Sequence, residues 1–493
     1  MTLESNRCTY FRPWSPKQLI FSTMAILLLA CVAGCGNGSG SLAVTGGPTA
    51  VTFCPESSCT YNGNNGSVFG RLNTISTILV DGKDNVWIPN IPSNGSFSFV
   101  LIPGGNPAEA ASLCQTGCTY TSSNYGGMNV VGYTTDSSGN LWVANYSNST
   151  YLLLKIPASS PDSPTQYLCS SSCGFSSSYG NTFMTVDSSQ NIWVTSSNVI
   201  LTKISVSAIG SSFLGTQICS SSICGGVNFS SFSPTGIGVD SSGNVWVSGI
   251  TNGSFGNGGT VFENPSGNTT SSGVKTLCNS NQSGCTHTAP SGEMNFTTHY
   301  NSPGTFNTQT SNNLAVDSSG DVWLSQYGNN GAIEIPSGNI ANPLYCSNGC
   351  GNGAALGGGG SPAGIAVDSK GRSWIAGTFS NSLSNSNSTS TPSSSTVSPY
   401  SGGGISAQAA SGSIIASYAS YCDFTVIKTN LMGCTQFTAF MFPQAVAVDS
   451  KGNVWVANNG FDNASVSTNN NNNGNNNNGT VTGWVTELIG AAK

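Results

Sequence analysis

The stretch VDSSGNVWV at 239–247 has six near-copies along the chain: VDGKDNVWI (80–88), TDSSGNLWV (135–143), VDSSQNIWV (186–194), VDSSGDVWL (316–324), VDSKGRSWI (367–375) and VDSKGNVWV (448–456). Each places an aspartate six residues before a tryptophan. The pairs are Asp81 with Trp87, Asp136 with Trp142, Asp187 with Trp193, Asp240 with Trp246, Asp317 with Trp323, Asp368 with Trp374 and Asp449 with Trp455. Successive tryptophans lie 51 to 55 residues apart, apart from two gaps of 77 and 81 that hold insertions. A period of this length marks a small unit that cannot bury its own faces and must stack on copies of itself.

Each phrase reads as a β-hairpin. Ile237 and Val239 lead in, and Val245, Trp246 and Val247 lead out. Period-2 alternation puts the valines on one face and the tryptophan on the other. Between them, Asp-Ser-Ser-Gly-Asn is turn chemistry: the carboxylate accepts backbone N–H groups, and glycine takes a positive φ. A third strand follows in TYLLLKIP (150–157), NVILTKIS (198–205), GTVFENP (259–265), GAIEIP (331–336) and GTVTGWVTELIG (479–490). A fourth ends on cysteine in TQYLC (165–169) and GTQIC (215–219). The expected fold is all-β: a seven-bladed β-propeller of four-stranded antiparallel blades over residues 49–493. The tryptophans are expected to pack between blades, and the aspartates to stabilise turns rather than bind calcium. The phrase lacks the further acids and terminal glutamate of a calcium loop.

Fourteen of the seventeen cysteines form close pairs, one for each hairpin. They are Cys54 with Cys59, Cys114 with Cys118, Cys169 with Cys173, Cys219 with Cys224, Cys278 with Cys285, Cys346 with Cys350 and Cys422 with Cys434. Paired cysteines also suit zinc. No pair contains a histidine, and separate blade rims would hold the pairs too far apart to share a metal, so disulfides are expected. The first pair precedes the first hairpin, and none follows the seventh. TAVTFCPESSC (49–59) is therefore expected to supply the outer strand of the last blade, so that chain start and chain end share a sheet and an exposed edge is removed.

At the N-terminus, Arg7, Arg12 and Lys17 precede the apolar run FSTMAILLLACVAG, and Cys35 follows. This is the layout of an export signal, and the run is short for a membrane span. Val32-Ala33-Gly34-Cys35 resembles a bacterial lipobox. The resemblance implies removal of 1–34, a lipid on Cys35 and a flexible tether at 35–48. Gly36 after the cysteine implies the outer membrane, with the protein on its periplasmic or surface side. The mature chain would carry ten basic residues against eighteen acidic ones. With no basic patch, nucleic acid is not an expected partner. A monomer is expected.

VDSKGNVWVAN (448–458), taken with a strand such as LLKIP (153–157), resembles NHL repeats. It also resembles the streptogramin lyase-like (virginiamycin B lyase-like) and gluconolactonase-type propellers. The lyase resemblance implies a divalent metal, a catalytic histidine and acidic partners near the central channel. The only histidines, His287 and His299, both lie in an insertion. The gluconolactonase resemblance implies a metal held by carboxylate and amide oxygens at the channel mouth. Candidates are Glu263, Glu293 and Glu334 with Asn90, Asn145 and Asn458. No motif draws them together, so no catalytic residue is assigned, and a divalent cation is a possibility that the resemblance leaves open.

Insertions at 286–312, 378–411 and 465–479 break the period. Their Ser/Asn/Thr/Gly composition suits mobile loops. The expected function is that of a lipid-anchored envelope propeller, a binding scaffold for a protein or glycan. The alternative is a metal-dependent lyase or lactonase with its site at the channel mouth.

Overall fold

The computed structural model describes residues 49–54, 61–62, 75, 77–90, 98–113, 130–147, 150–161, 163–169, 173–175, 182–196, 201–208, 212–213, 215–219, 223–225, 227–228, 232–253, 256–279, 285–290, 294, 313–326, 331–345, 361–381, 400–408, 414–423, 443–461 and 481–493. The chain divides into two units, Met1–Gly40 and Ser41–Lys493, and every described residue belongs to the second. The signal segment 1–34, Cys35, the tether to residue 48 and the insertion at 465–479 lie outside the described residues.

The chain is an all-β propeller. Each repeated phrase forms the first two strands of its own sheet, and the chain then adds strands outward. The first sheet runs Leu79–Val80, Val86–Asn90, Ser98–Ile102, Ala111–Leu113. The second runs Val130–Thr135, Asn140–Ser147, Thr150–Pro157, Thr165–Cys169, and the third Thr182–Val186, Ile192–Ser196, Leu201–Ile204, Thr216–Cys219. The fourth runs Phe232–Val239, Val245–Gly253, Gly256–Asn264, Lys275–Asn279, and the fifth Leu314–Val316, Val322–Gln326, Gly331–Ile335, Leu344–Tyr345. The sixth runs Ser361–Val367, Ser373–Asn381, Tyr400–Gln408, Ile414–Asp423. The seventh runs Pro443–Val448, Val454–Phe461, Val481–Ile489 and then Thr49–Cys54.

The blades are less uniform than the seven even repeats suggest. Six inner hairpins pair over three residues or more on each strand. The first pairs only Leu79 with Trp87 and Val80 with Val86, so six blades are regular. Its turn, KD in place of SG, puts Asp84 rather than glycine at the positive φ.

Alternation along the second strands decides how the sheets stack. Val86 and Ile88 share a buried cluster with Trp455, while Trp87 lies in a different one with Leu141 and Val143. Trp142 packs with Ile192 and Val194, and Trp193 with Val245 and Val247. Trp246 packs with Val322 and Leu324, Trp323 with Ile375, and Trp374 with Val454 and Val456. Each tryptophan thus fills the seam to the next sheet, and the last one returns to the first sheet. The opening strands of successive sheets are neighbours in the same cyclic order. At the closing seam, Asp84 accepts the backbone N–H and hydroxyl of Ser450 at 2.8 and 2.6 Å.

The chain start completes the seventh sheet as expected. Thr49–Cys54 lies antiparallel along Val481–Ile489, with Val51 opposite Glu487 and Phe53 opposite Val485. Further strands were not expected. Tyr61–Asn62, Ser212–Phe213 and His287–Ala289 each pair in parallel outside an outer strand. Ser212–Phe213 leaves the run of the third sheet to pair with the second. His287–Ala289 corrects the expectation of a loop from residue 286: the insertion begins with a paired strand. The insertion at 378–411 narrows similarly, because paired strands run to Asn381 and resume at Tyr400.

Disulfides join Cys169–Cys173, Cys219–Cys224 and Cys278–Cys285. The other four expected bridges are not among the described contacts. Cys59, Cys114, Cys118, Cys346, Cys350 and Cys434 lie outside the described residues, and only the backbone of Cys54 and Cys422 is described. The bridges of Cys54 with Cys59, Cys114 with Cys118, Cys346 with Cys350 and Cys422 with Cys434 therefore remain expectations from spacing. Small closed loops such as these contribute roughly 2 kcal/mol each by chain entropy. Bridged cysteines place the chain among exported proteins. Separate rims were expected for the pairs. Instead Cys219, Cys224 and Cys278 are buried in one cluster between the third and fourth sheets.

The fourth residue of the turn has a positive φ in every phrase. It is glycine in five copies, Asp84 in the first and Gln190 (φ 63°) in the third. A side chain there costs about 1 kcal/mol. Gln190→Gly is expected to raise stability by about that amount, read by urea unfolding. Its one side-chain bond, to the exposed Ser137 hydroxyl at 3.0 Å, offsets little of the gain.

Candidate functional site

Six of the seven repeated aspartates are buried, Asp187 is half-buried, and all accept several hydrogen bonds. Asp136 Oδ1 accepts the backbone N–H of Ser138 and Asn140, both at 2.9 Å. Its Oδ2 accepts the Asn140 amide and the Trp142 indole N–H, both at 2.8 Å. The same indole bond forms to Asp81 from Trp87, to Asp187 from Trp193, to Asp240 from Trp246, to Asp368 from Trp374 and to Asp449 from Trp455. The asparagine after the glycine position ties the turn outward as well: Asn85, Asn244 and Asn453 accept from Gly104, Ser266 and Gly490, just past the third strand, at 2.8 to 2.9 Å. These carboxylates are therefore occupied in holding strands together.

The fifth phrase departs from this pattern. Asp321 replaces the asparagine, and the buried Trp323 indole nitrogen has no hydrogen-bond partner among the described residues. In the sixth phrase Arg372 takes the asparagine position. Its Nε lies 2.6 Å from Asp368 Oδ2, and its guanidinium lies over the Trp374 ring.

Strand register places one further residue opposite each tryptophan, on the third strand. In chain order these are Leu101, Lys155, Lys203, Glu263, Glu334, Ala407 and Glu487. The Lys155 and Lys203 ammonium groups lie 5.5 and 5.3 Å from the ring centres of Trp142 and Trp193, within cation–π range. Glu263 pairs with Lys275 at 3.1 Å. Burial raises its carboxyl, and Lys275 opposes that rise. Glu334 has no such partner among the described residues: burial first, then Asp321 and Asp317, push it up to about 7. Glu487 is also raised to about 7, by burial and Asp449, with Lys451 opposing.

The candidate metal ligands are not brought together. Glu263 and Glu334 lie on different sheets, each facing its own tryptophan. Asn145 is fully buried on the second sheet with neither amide atom bonded. Asn458 is buried on the seventh and donates to Thr486 Oγ1 at 3.2 Å. Asn90 ends the second strand of the first sheet. His287 begins the parallel strand beside Leu277. Glu293 and His299 lie outside the described residues. Among the described residues, no group of three His, Cys, Asp or Glu side chains is placed to hold a metal ion. Sequence reasoning missed Glu487, Lys155 and Lys203, because their shared position appears only once the third strand is paired with the second.

No family model matches the chain, and no curated protein matches it in sequence. Solved structures of similar fold include virginiamycin B lyase from Staphylococcus aureus, at 10% identity and TM-score 0.34 over 73% of this chain and 94% of that one. A gluconolactonase-like protein aligns at 9% identity and TM-score 0.33, over 69% and 84%. The extracellular domain of a one-component system from B. thetaiotaomicron aligns at 14% identity and TM-score 0.34, over 85% and 52%. At this level the likenesses carry no functional argument.

Proposed function

We propose that this chain is an exported, envelope-anchored propeller that holds a protein or glycan rather than transforming it. The observation behind this reading is the way its carboxylates are spent. All seven repeated aspartates serve turns and six also hold an indole, and the buried glutamates Glu263, Glu334 and Glu487 are distributed one to a sheet. A stapled ring with few charges is a scaffold for the loops grafted on it. Anchoring through a lipid on Cys35 and placement at the outer membrane belong to the same proposal. So does a ring of seven blades, supported by the cyclic tryptophan seams with the short first sheet counted in. Six-fold averages in electron micrographs would refute that count.

The test is thermal unfolding of the mature, oxidised protein after chelation, with Ca²⁺, Mg²⁺, Mn²⁺ or Zn²⁺ and, separately, with envelope glycans. A ligand at 100 times its dissociation constant adds about 2.7 kcal/mol. The expected result is a saturable shift with a glycan or envelope-protein fraction and none with a cation. A saturable cation shift would instead favour a metal-dependent lyase or lactonase, and lactone turnover would then decide. Retention of the wild type in membranes and release of Cys35→Ser would support the anchor.

A further inference from the structure

The fifth phrase sets three carboxylates, Asp317, Asp321 and Glu334, within electrostatic reach of one another, with no cation among the described residues acting on them. Asp321 stands where five sister phrases have an asparagine that donates its amide to the turn aspartate. Asp317 Oδ1 still accepts the backbone N–H of Ser319 and Asp321, both at 2.8 Å. Its Oδ2 receives neither an amide nor an indole from the described residues. Asp321 accepts the backbone N–H of Ser337. Glu334, opposite Trp323, is 6% exposed and makes no hydrogen bond among the described residues. Its neighbour on the fourth strand is Leu344, where Glu263 has Lys275. From the sixth sheet the turn 368–372 comes close: a β-carbon on Gly371 would stand 3.0 Å from Asp317 Oδ2. The charges on that turn are Asp368, Lys370 and Arg372, and Arg372 is committed to Asp368. On the other side, Asp240 bonds its own tryptophan.

The second observation is independent of the acids. Trp323 is 1% exposed, and its indole N–H, which in six sister phrases donates to the turn aspartate, has no acceptor among the described residues. A buried donor left unmade costs about 1–3 kcal/mol, and like charges repel across the space it should bridge. A proton relieves both.

We propose that Asp317, Asp321 and Glu334 form a proton-binding site that controls the seam between the fifth and sixth sheets. With one proton bound, the cluster loses a charge, Asp317 Oδ2 swings onto the Trp323 indole, and the seam is held as in the sister phrases. Without it, the indole stays unbonded and the seam opens more readily. The raised carboxyl of Glu334, at about 7, sets the range in which this happens. Two interacting acids share such a titration, so the midpoint belongs to the cluster. This inference stands apart from the choice between binder and enzyme.

The test is the indole N–H spectrum of the full mature protein labelled with ¹⁵N-tryptophan, followed from about pH 5 to about pH 8.5. The Trp323 resonance is assigned by its loss in Trp323→Phe. Should that variant not fold, it is the resonance displaced in both Asp321→Asn and Glu334→Gln. It is expected to titrate near neutrality while Trp142 and Trp193 stay fixed. Glu334→Gln should abolish the titration, and Asp321→Asn should move the resonance to its sisters' position at every pH. Hydrogen exchange at Leu324 and Ile375 should rise at least about tenfold, beyond the intrinsic pH effect, from the acid to the alkaline end. A Trp323 resonance that does not move, or one that titrates unchanged in Glu334→Gln, overturns the proposal.

Discussion

Replacing Phe53 with alanine is expected to destabilise the protein by about 3–5 kcal/mol, the usual cost of removing a fully buried phenylalanine. Phe53 is 0% exposed, and its ring stacks on Trp455 with centroids 5.7 Å apart. It stands on the N-terminal strand that closes the seventh sheet, and its cluster includes Val86, Ile88 and Ile102 of the first sheet. One side chain therefore joins chain start, chain end and the first blade. Urea unfolding of Phe53→Ala beside Leu168→Ala makes the comparison. Leu168 lies on another outer strand and is 51% exposed, so its loss should stay within about 0.5 kcal/mol. If both variants lose equally little, the N-terminal strand does not clamp the ring.

The cost should also appear in cooperativity. Stacked repeats share stability through their neighbours, and a closed ring has no end from which to fray. Weakening the closing sheet creates two ends. Phe53→Ala should therefore broaden the transition as well as shift it, with exchange protection falling first in the first and seventh sheets.

Much of this architecture could be read along the chain because period-2 patterning is local. The valines beside Trp246 and the turn Asp-Ser-Ser-Gly-Asn specify a hairpin without knowledge of any distant residue. The closing strand was legible for a different reason: the pair of Cys54 and Cys59 has no hairpin before it, and Val481–Ile489 has no cysteine-ended strand after it. The parallel additions escaped because pairing of two or three residues, as at His287–Ala289, leaves no periodicity to detect. The site was legible only in part. Asp240 and Trp246 announce their turn by spacing, but that Glu263, Glu334 and Glu487 share one position depends on register across strands separated by loops of unequal length. The failure of Glu263, Glu334 and Asn145 to converge has the same origin. A residue's sheet and face follow from packing, and composition near a strand end does not encode them.

Stability itself should fall as pH rises through neutrality, and Glu487 contributes as much to this as Glu334. Glu487 is 5% exposed on the seventh sheet, opposite Trp455 and close to Asp449. Burial, then Asp449, raises its carboxyl from 4.5 to about 7, against the pull of Lys451. Between those two values the folded chain holds a proton that the unfolded chain has released. Unfolding then releases protons, and the slope of stability against pH is negative. The contribution is fully present below about pH 4.5 and is lost as pH passes the folded value. A displacement of this size is worth roughly 3 kcal/mol for each buried glutamate as an upper bound. Urea unfolding at about pH 5 and about pH 8 should show the acid sample to be the more stable by several kcal/mol, the reverse of a protein held by salt-bridged carboxylates. The double variant, Glu334→Gln with Glu487→Gln, should flatten the profile, because an uncharged amide serves the buried site at every pH. A wild-type profile that is flat or rises across this window would mean that water or unseen cations solvate both carboxylates, and that neither is the buried acid its place opposite a tryptophan implies.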